Sequence, residues 1–305
     1  MSKAWSFLVI LVLFFLGTNV FAMSSTNYLI PWDNLNQGGN DIGSSTNFSI
    51  HDTIGGSAAG TSTGTNYKIA SGYRVPEGAN TLSYLVKTTN TSGVTYSAFT
   101  NGISGTVVVS SASGYAVGNL IAVVENLGFS ELVAIGKITS ISGTTFTVDR
   151  FEGDGGVMSA VPAGGDDYVY LLDANSFSFG TVSAGTENTS VVGTSVSTNI
   201  STGYSVYIQA NQNLQNASAQ EITGVTDGTV STGSEEYGAE VTGTTAYNAG
   251  TDIGVTTTQR VIQTSAAASG TNSDKVGMIY KLSITGSTNA GTYTQTVYYT
   301  LTANY

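Results

Sequence analysis

The chain has 305 residues, a formal net charge of −11, no cysteine, and only 10% Asp, Glu, Lys and Arg together. So sparse and acidic a charge set excludes nucleic acid as a partner, because phosphate recognition needs basic patches. The missing cysteines exclude a disulfide framework, so stability has to come from sheet packing in domains of reasonable size.

Residues 1–22 carry Lys3, an apolar run over 7–16, and Val20-Phe21-Ala22 just before Met23, the pattern of a cleaved secretory signal. The run is short for a membrane span of about 20 residues. No membrane span is therefore expected after cleavage, and without Cys no lipid anchor is expected either. The mature protein is read as extracellular or cell-surface. Only three prolines, with frequent β-branched residues and tyrosines, point to an all-β fold.

Over 23–75 one phrase recurs: Ser25-Thr26-Asn27-Tyr28-Leu29-Ile30, Ser45-Thr46-Asn47-Phe48-Ser49-Ile50 and Gly64-Thr65-Asn66-Tyr67-Lys68-Ile69. Each copy predicts a short strand with an aromatic and an aliphatic residue on one face, and glycines such as Gly38-Gly39 and Gly55-Gly56 turn the chain between them. Units this short cannot bury a face singly and must stack on one another or on the next domain. The phrase, closing at Gly72-Tyr73, resembles the strand repeats that open many exported bacterial surface proteins. That resemblance implies a secreted or surface setting.

Arg74-Val75-Pro76-Glu77-Gly78-Ala79-Asn80 reads as a linker. Residues 81–87 predict a strand with Leu82, Tyr84 and Val86 on one face. The stretch 105–172 is denser in apolar residues, with strands expected over 107–109, 120–124, 132–138, 145–148 and 168–172. We read 76–173 as a small β-barrel, with the alternative that 81–87 belongs to the C-terminal domain and the barrel is inserted after it. The order Val117-Gly118-Asn119-Leu120-Ile121, Glu131-Leu132-Val133, then 138–150 ending Phe146-Thr147-Val148-Asp149-Arg150 resembles a β-barrel module of phage tail and other structural proteins. A scaffold role is what this likeness implies.

From 174 to 305 the two-residue period of half-buried strands dominates. Tyr204, Val206 and Ile208 share a face, as do Met278, Tyr280, Leu282 and Ile284. In the last strand Tyr293, Val297, Tyr299, Leu301 and Ala303 oppose Thr292, Thr294, Thr296, Thr300 and Thr302. Such a strand needs a second sheet to cover its apolar face, so an immunoglobulin-like β-sandwich is expected. Ala290-Gly291-Thr292-Tyr293 reads as a tyrosine corner. The order Phe179-Gly180-Thr181-Val182, Ser197-Thr198-Asn199, Gly203-Tyr204-Ser205-Val206 and 290–301 resembles the cell-wall-binding WxL domains and, more loosely, fimbrial sandwiches. Tyr299-Thr300-Leu301 stands where Trp-x-Leu is usual. Wall binding is a property that this resemblance implies.

Few residues offer chemistry. His51, the single histidine, sits beside Asp52, and a solvated turn pair accounts for it. Asp149, Glu152, Asp154, Asp166 and Asp167, interleaved with glycines, are the candidates for calcium, although their spacing departs from the twelve-residue helix-loop-helix loop. No other cofactor is expected. Glu235-Glu236 and Glu221 with Asp227 are the carboxylates a glycosidase would need in pairs, and nothing in their spacing fixes such a pair. Trp32 and Tyr28 are the candidates for stacking on a sugar.

The expected function is a non-enzymatic structural or adhesive protein of the cell exterior that self-assembles into a homo-oligomer or polymer. An extracellular module for cell-envelope glycan is the alternative, and a secreted hydrolase the second alternative. No sorting motif or apolar tail follows the last strand, so attachment is expected to be non-covalent, with the short strand over 27–30 completing the open sheet edge of a neighbouring copy.

Overall fold

The computed structural model describes residues 80–89 and 93–304 in full and, before them, the backbone of six short strands between 23 and 71. The chain divides into two compact units, Met1–Ala79 and Asn80–Tyr305. The fold is all-β, and the one helical element among the described residues is a single 3-10 turn, Asp154–Gly156.

In the first unit the strands form three separate antiparallel hairpins: β1 (Met23–Ser25) with β2 (Tyr28–Ile30), β3 (Gly43–Ser45) with β4 (Phe48–Ile50), and β5 (Gly60–Thr63) with β6 (Lys68–Ser71). Ser25 pairs with Tyr28, and Ser45 with Phe48. The Thr-Asn of the repeated phrase thus falls between two paired strands, so the phrase marks the middle of a hairpin rather than a single strand. The signal-like segment 1–22, Trp32, His51 and Asp52 lie outside the described residues.

The second unit opens with β7 (Leu82–Thr89), β8 (Val94–Thr100) and β9 (Thr106–Val109). It continues through β10 (Leu120–Glu125), β11 (Leu132–Ser142), β12 (Thr145–Val148), β13 (Glu152–Gly153) and β14 (Tyr168–Ala174). Six of these close on themselves, in the order β8, β9, β12, β11, β10, β14 and back to β8, every pairing antiparallel. β11 is long enough to serve two neighbours: it pairs with β10 along its first half and with β12 along its second. A bulge between Ile138 and Ser140 turns the corner. Tyr96, Phe99, Val107, Ile121, Val123, Phe146, Val148 and Val169 fill the inside of this ring.

The remaining strands are β15 (Asn188–Thr198), β16 (Tyr204–Ala210), β17 (Leu214–Gln215), β18 (Glu221–Ile222), β19 (Glu236–Thr242), β20 (Arg260–Ser265), β21 (Asp274–Ser283) and β22 (Val297–Ala303). β7 pairs with β15 from Leu82↔Thr198 to Thr88↔Val192, and the same sheet runs on through β21 to β19. At its other side Thr89 of β7 meets Leu172 of β14, so the ring and this sheet are continuous. A second sheet, β20-β16-β22, lies across one core from the first, with Val196, Tyr204, Val206, Ile208, Val241, Ile262, Met278 and Tyr280 between them. The alternation expected of the last strand is present: Val297, Tyr299 and Leu301 pack on this core, and Tyr298, Thr300 and Thr302 are exposed. Tyr293 donates its hydroxyl to the carbonyl of Asn289 at 2.9 Å, tying the strand entry to the bend before it.

β10 and β21 are buried at every residue. In β10, Ile121 and Val123 point into the ring, whereas Leu120, Ala122 and Val124 point out of it and pack with Val133, Ile135 and Leu172 against Val191 and Ile279 of the sheet. The outer wall of the ring and the outer face of the β15–β21 sheet thus share a third core. Gly193 and Gly277 are directly opposed on β15 and β21. A Cβ on Gly193 would collide with Leu172 Cδ1 and reach Leu120 Cδ2 at 3.3 Å, and one on Gly277 would lie 3.1 Å from Val133 Cγ1. The paired glycines form a recess that receives the side chains of the ring.

Candidate functional site

The buried charged groups of β21 lie along this junction. β21 has Val276, Met278, Tyr280 and Leu282 on the inner face, so Lys275, Gly277, Ile279 and Lys281 face the ring. Burying two ammonium groups there requires counter-charges. For Lys275, which is fully buried, Asp149 Oδ2 stands 2.7 Å from Nζ. Arg150 bridges Glu152 and Asp274, and Glu152 Oε2 accepts the Lys275 amide at 2.9 Å. Asp274 accepts the Tyr204 hydroxyl at 2.9 Å, Gln263 donates to Tyr204 at 2.9 Å, and Thr194 donates to Gln263 at 3.0 Å. This is one polar chain from the rim of the ring to the far sheet. Burial pushes the Glu152 carboxyl up, opposed by the Lys275 amide and the Arg150 charge. Lys281 pairs with Glu240 at 2.6 Å and Asp252 at 3.0 Å, and these partners outweigh its burial and hold its pKa above the usual lysine range.

The five calcium candidates are distributed among separate structural tasks. Asp149 and Glu152 belong to the Lys275 network. Asp154 accepts from the Val133 amide at 3.0 Å and from the Thr242 hydroxyl at 2.6 Å. Asp167 accepts from the amides of Asn126 at 3.2 Å and Gly164 at 3.0 Å. Asp166, its neighbour, stands beside Gly164. Among the described residues no group of three or more His, Asp or Glu side chains stands together to hold a metal ion. The other carboxylates are likewise engaged locally: Glu235 with Thr288, Glu236 with the Ser231 amide at 2.8 Å, Glu221 with Asn213 at 2.7 Å, and Asp227 with the Thr229 amide at 3.1 Å. Tyr28 falls in β2, described by its backbone alone.

Residues that the sequence did not single out form a cleft of about 600 Å³ at the junction, lined by Leu127, Glu131 and Tyr170 from the ring side and by Phe177, Thr189 and Ser190 from the sheet side. A second opening of about 380 Å³ shares Leu127, Tyr170, Ser178 and Thr189 with it and adds Phe179 and Glu187. Glu131 is 4% exposed; Thr189 donates to its Oε2 at 2.6 Å, while its Oε1 is buried with no hydrogen-bond partner. Tyr170 is pushed up to about 12 by burial and then by the charge of Glu131. Glu187, by contrast, is held below the usual carboxylate range by the Phe129 amide and the Thr232 hydroxyl.

No protein-family model, curated protein or solved structure matches the chain. Among the described residues no helix is long and apolar enough to cross a membrane.

Glu131 gives a testable pH dependence. Burial pushes it up to about 7, with the Thr189 hydroxyl and the Gly128 amide offsetting part of the effect. The folded chain then holds this proton more tightly than the unfolded chain, so the contribution of the group is most favourable below pH about 4.5 and is lost as pH rises to about 7. Relative to Glu131→Gln, the wild-type protein is expected to lose stability across that window and to run parallel outside it. Urea denaturation at closely spaced pH values measures the difference; a flat difference contradicts the assignment.

Proposed function

We propose that the protein is a non-enzymatic structural or adhesive component of the cell exterior that associates with copies of itself through sheet edges. The observation that carries this reading is β22. It borders the three-stranded sheet, pairs with β16 on one side, and has no strand partner on the other among the described residues. It contains no charge and no proline, and Tyr298, Thr300 and Thr302 are exposed along it. Natural edge strands are usually blunted by lysine, proline or a bulge, and this one carries none of these devices. The export-type segment at 1–22 supports an exterior setting, and the likeness of 176–305 to WxL and fimbrial sandwiches fits an immunoglobulin-like reading of the two-sheet core. The short N-terminal strands are the proposed donors, since an added strand supplies main-chain bonds without needing a sequence-specific pocket.

Mature protein is expected to form oligomers in size-exclusion chromatography with light scattering. Deleting residues 23–36, or introducing Thr300→Lys with Thr302→Lys on the edge strand, is expected to leave folded monomers. A mature protein that stays monomeric at high concentration, or assembles as well after both changes, defeats the reading.

A further inference from the structure

The cleft between the ring and the sheet presents a combination that a purely structural seam does not need. A carboxyl oxygen buried without a partner costs the folded state its full desolvation, and native structures retain few such atoms. Glu131 Oε1 is one, and Glu131 is part of the cleft lining. Around it the lining alternates between aromatic surface, Tyr170 and Phe177, and short hydroxyl side chains, Thr89, Ser176, Thr189 and Ser190. The Phe177 ring is braced from behind by Tyr280, at 5.0 Å between centroids, and by Phe179 at 5.3 Å. The aromatic wall is thus held in place before anything binds.

We propose that this cleft is a binding site for a neutral saccharide, with the Glu131 side chain turning Oε1 outward to accept a hydrogen bond from a sugar hydroxyl or acetamido N–H and Tyr170 and Phe177 covering the apolar face of the sugar. Three properties of the site select this class. Its volume, about 600 Å³, suits one or two sugar rings and falls within the range of small-ligand sites. Sugars carry both an apolar C–H face and a rim of hydroxyls, the two surfaces that this lining complements. Acidic sugars and phosphates are disfavoured because Glu131 lines the larger opening and Glu187 the smaller, and the charge of Glu240 also bears on Glu131, against the single ammonium of Lys281. The site is remote in sequence from Trp32 and Tyr28 and is independent of the β22 edge.

The test titrates the full mature protein with N,N′-diacetylchitobiose and with cellobiose by calorimetry, and maps the contact by amide and methyl shifts. At least one disaccharide is expected to bind saturably to the wild type, with shifts centred on Thr189, Ser190 and Val191. Glu131→Met, which keeps the side-chain volume while removing the acceptor, is expected to weaken binding tenfold or more, as is Tyr170→Ala. Thr300→Lys on the edge strand is expected to leave binding unchanged, which separates this inference from edge pairing. If neither sugar binds, if the shifts fall elsewhere on the wild-type protein, or if Glu131→Met binds as tightly as wild type, the inference is overturned.

Discussion

Gly193→Val is expected to destabilise the protein by about 3 kcal/mol in urea denaturation, the upper part of the range for overpacking a filled core. The cause is the third core. The missing side chain of Gly193 is the space occupied by Leu172, which is itself 3% exposed and confined by Leu120 and Ile135. Neither side can yield, because Gly193 is mid-strand in β15, paired with Gly277 on one side and Lys87 on the other. A double-mutant cycle separates steric conflict from loss of strand quality. Leu172→Ala alone opens a cavity and is expected to cost about 2–4 kcal/mol, but combined with Gly193→Ala the total should fall well below the sum, since the new methyl enters the vacated space. Strict additivity would mean that the two residues do not share that volume.

The second large effect is expected at Glu152. Its side chain is 3% exposed and serves two groups at once, the Arg150 guanidinium and the Lys275 amide. Glu152→Ala leaves Arg150 with only the 3.4 Å contact to Asp274 and leaves a buried N–H unpaired. Removing one member of a buried ionic network in this way is expected to cost about 4 kcal/mol. Glu152→Gln keeps an acceptor for the Lys275 amide while losing the charge, so roughly half that loss is expected. Both losses should persist at 1 M salt, because a pair shielded from solvent is screened far less than a surface pair. A loss that vanishes in salt would place Glu152 on a solvated face.

The sequence disclosed the strands better than what covers them. Period-two patterning in β16 and β22 predicted the faces that meet in the two-sheet core, because one face of each is wet and the contrast shows in the residue types. β21 was half legible. Met278, Tyr280 and Leu282 announced an inner face, but nothing local marks what covers Lys275 and Lys281 on the other face, and the ring that does so is built from residues more than a hundred positions earlier. The same non-locality hid the cleft, whose Glu131, Tyr170 and Phe177 carry no local motif. The acidic stretch 149–167 looked like one cluster because its members are near in sequence. In space, Asp154 bonds Thr242 and Asp149 bonds Lys275, so the carboxylates diverge to different partners. The hairpins of the first unit were hidden for the opposite reason, since the Thr-Asn of each phrase sits between strands too short to show a period.

The continuity of β7 with β15 also bears on the entropy of folding. β7 precedes the ring in the chain and β15 follows it, and the Thr81 amide is bonded to Asn199 Oδ1 across 118 residues. Closing a loop of about a hundred residues costs on the order of 4 kcal/mol of chain entropy. The ring removes most of that cost once it forms, because β14 emerges from it alongside Thr89, the last residue of β7. It then acts on the two-sheet core as a covalent staple would, holding two distant stretches of chain in register. A cysteine-free protein thereby gains from topology the constraint that a disulfide gives to others.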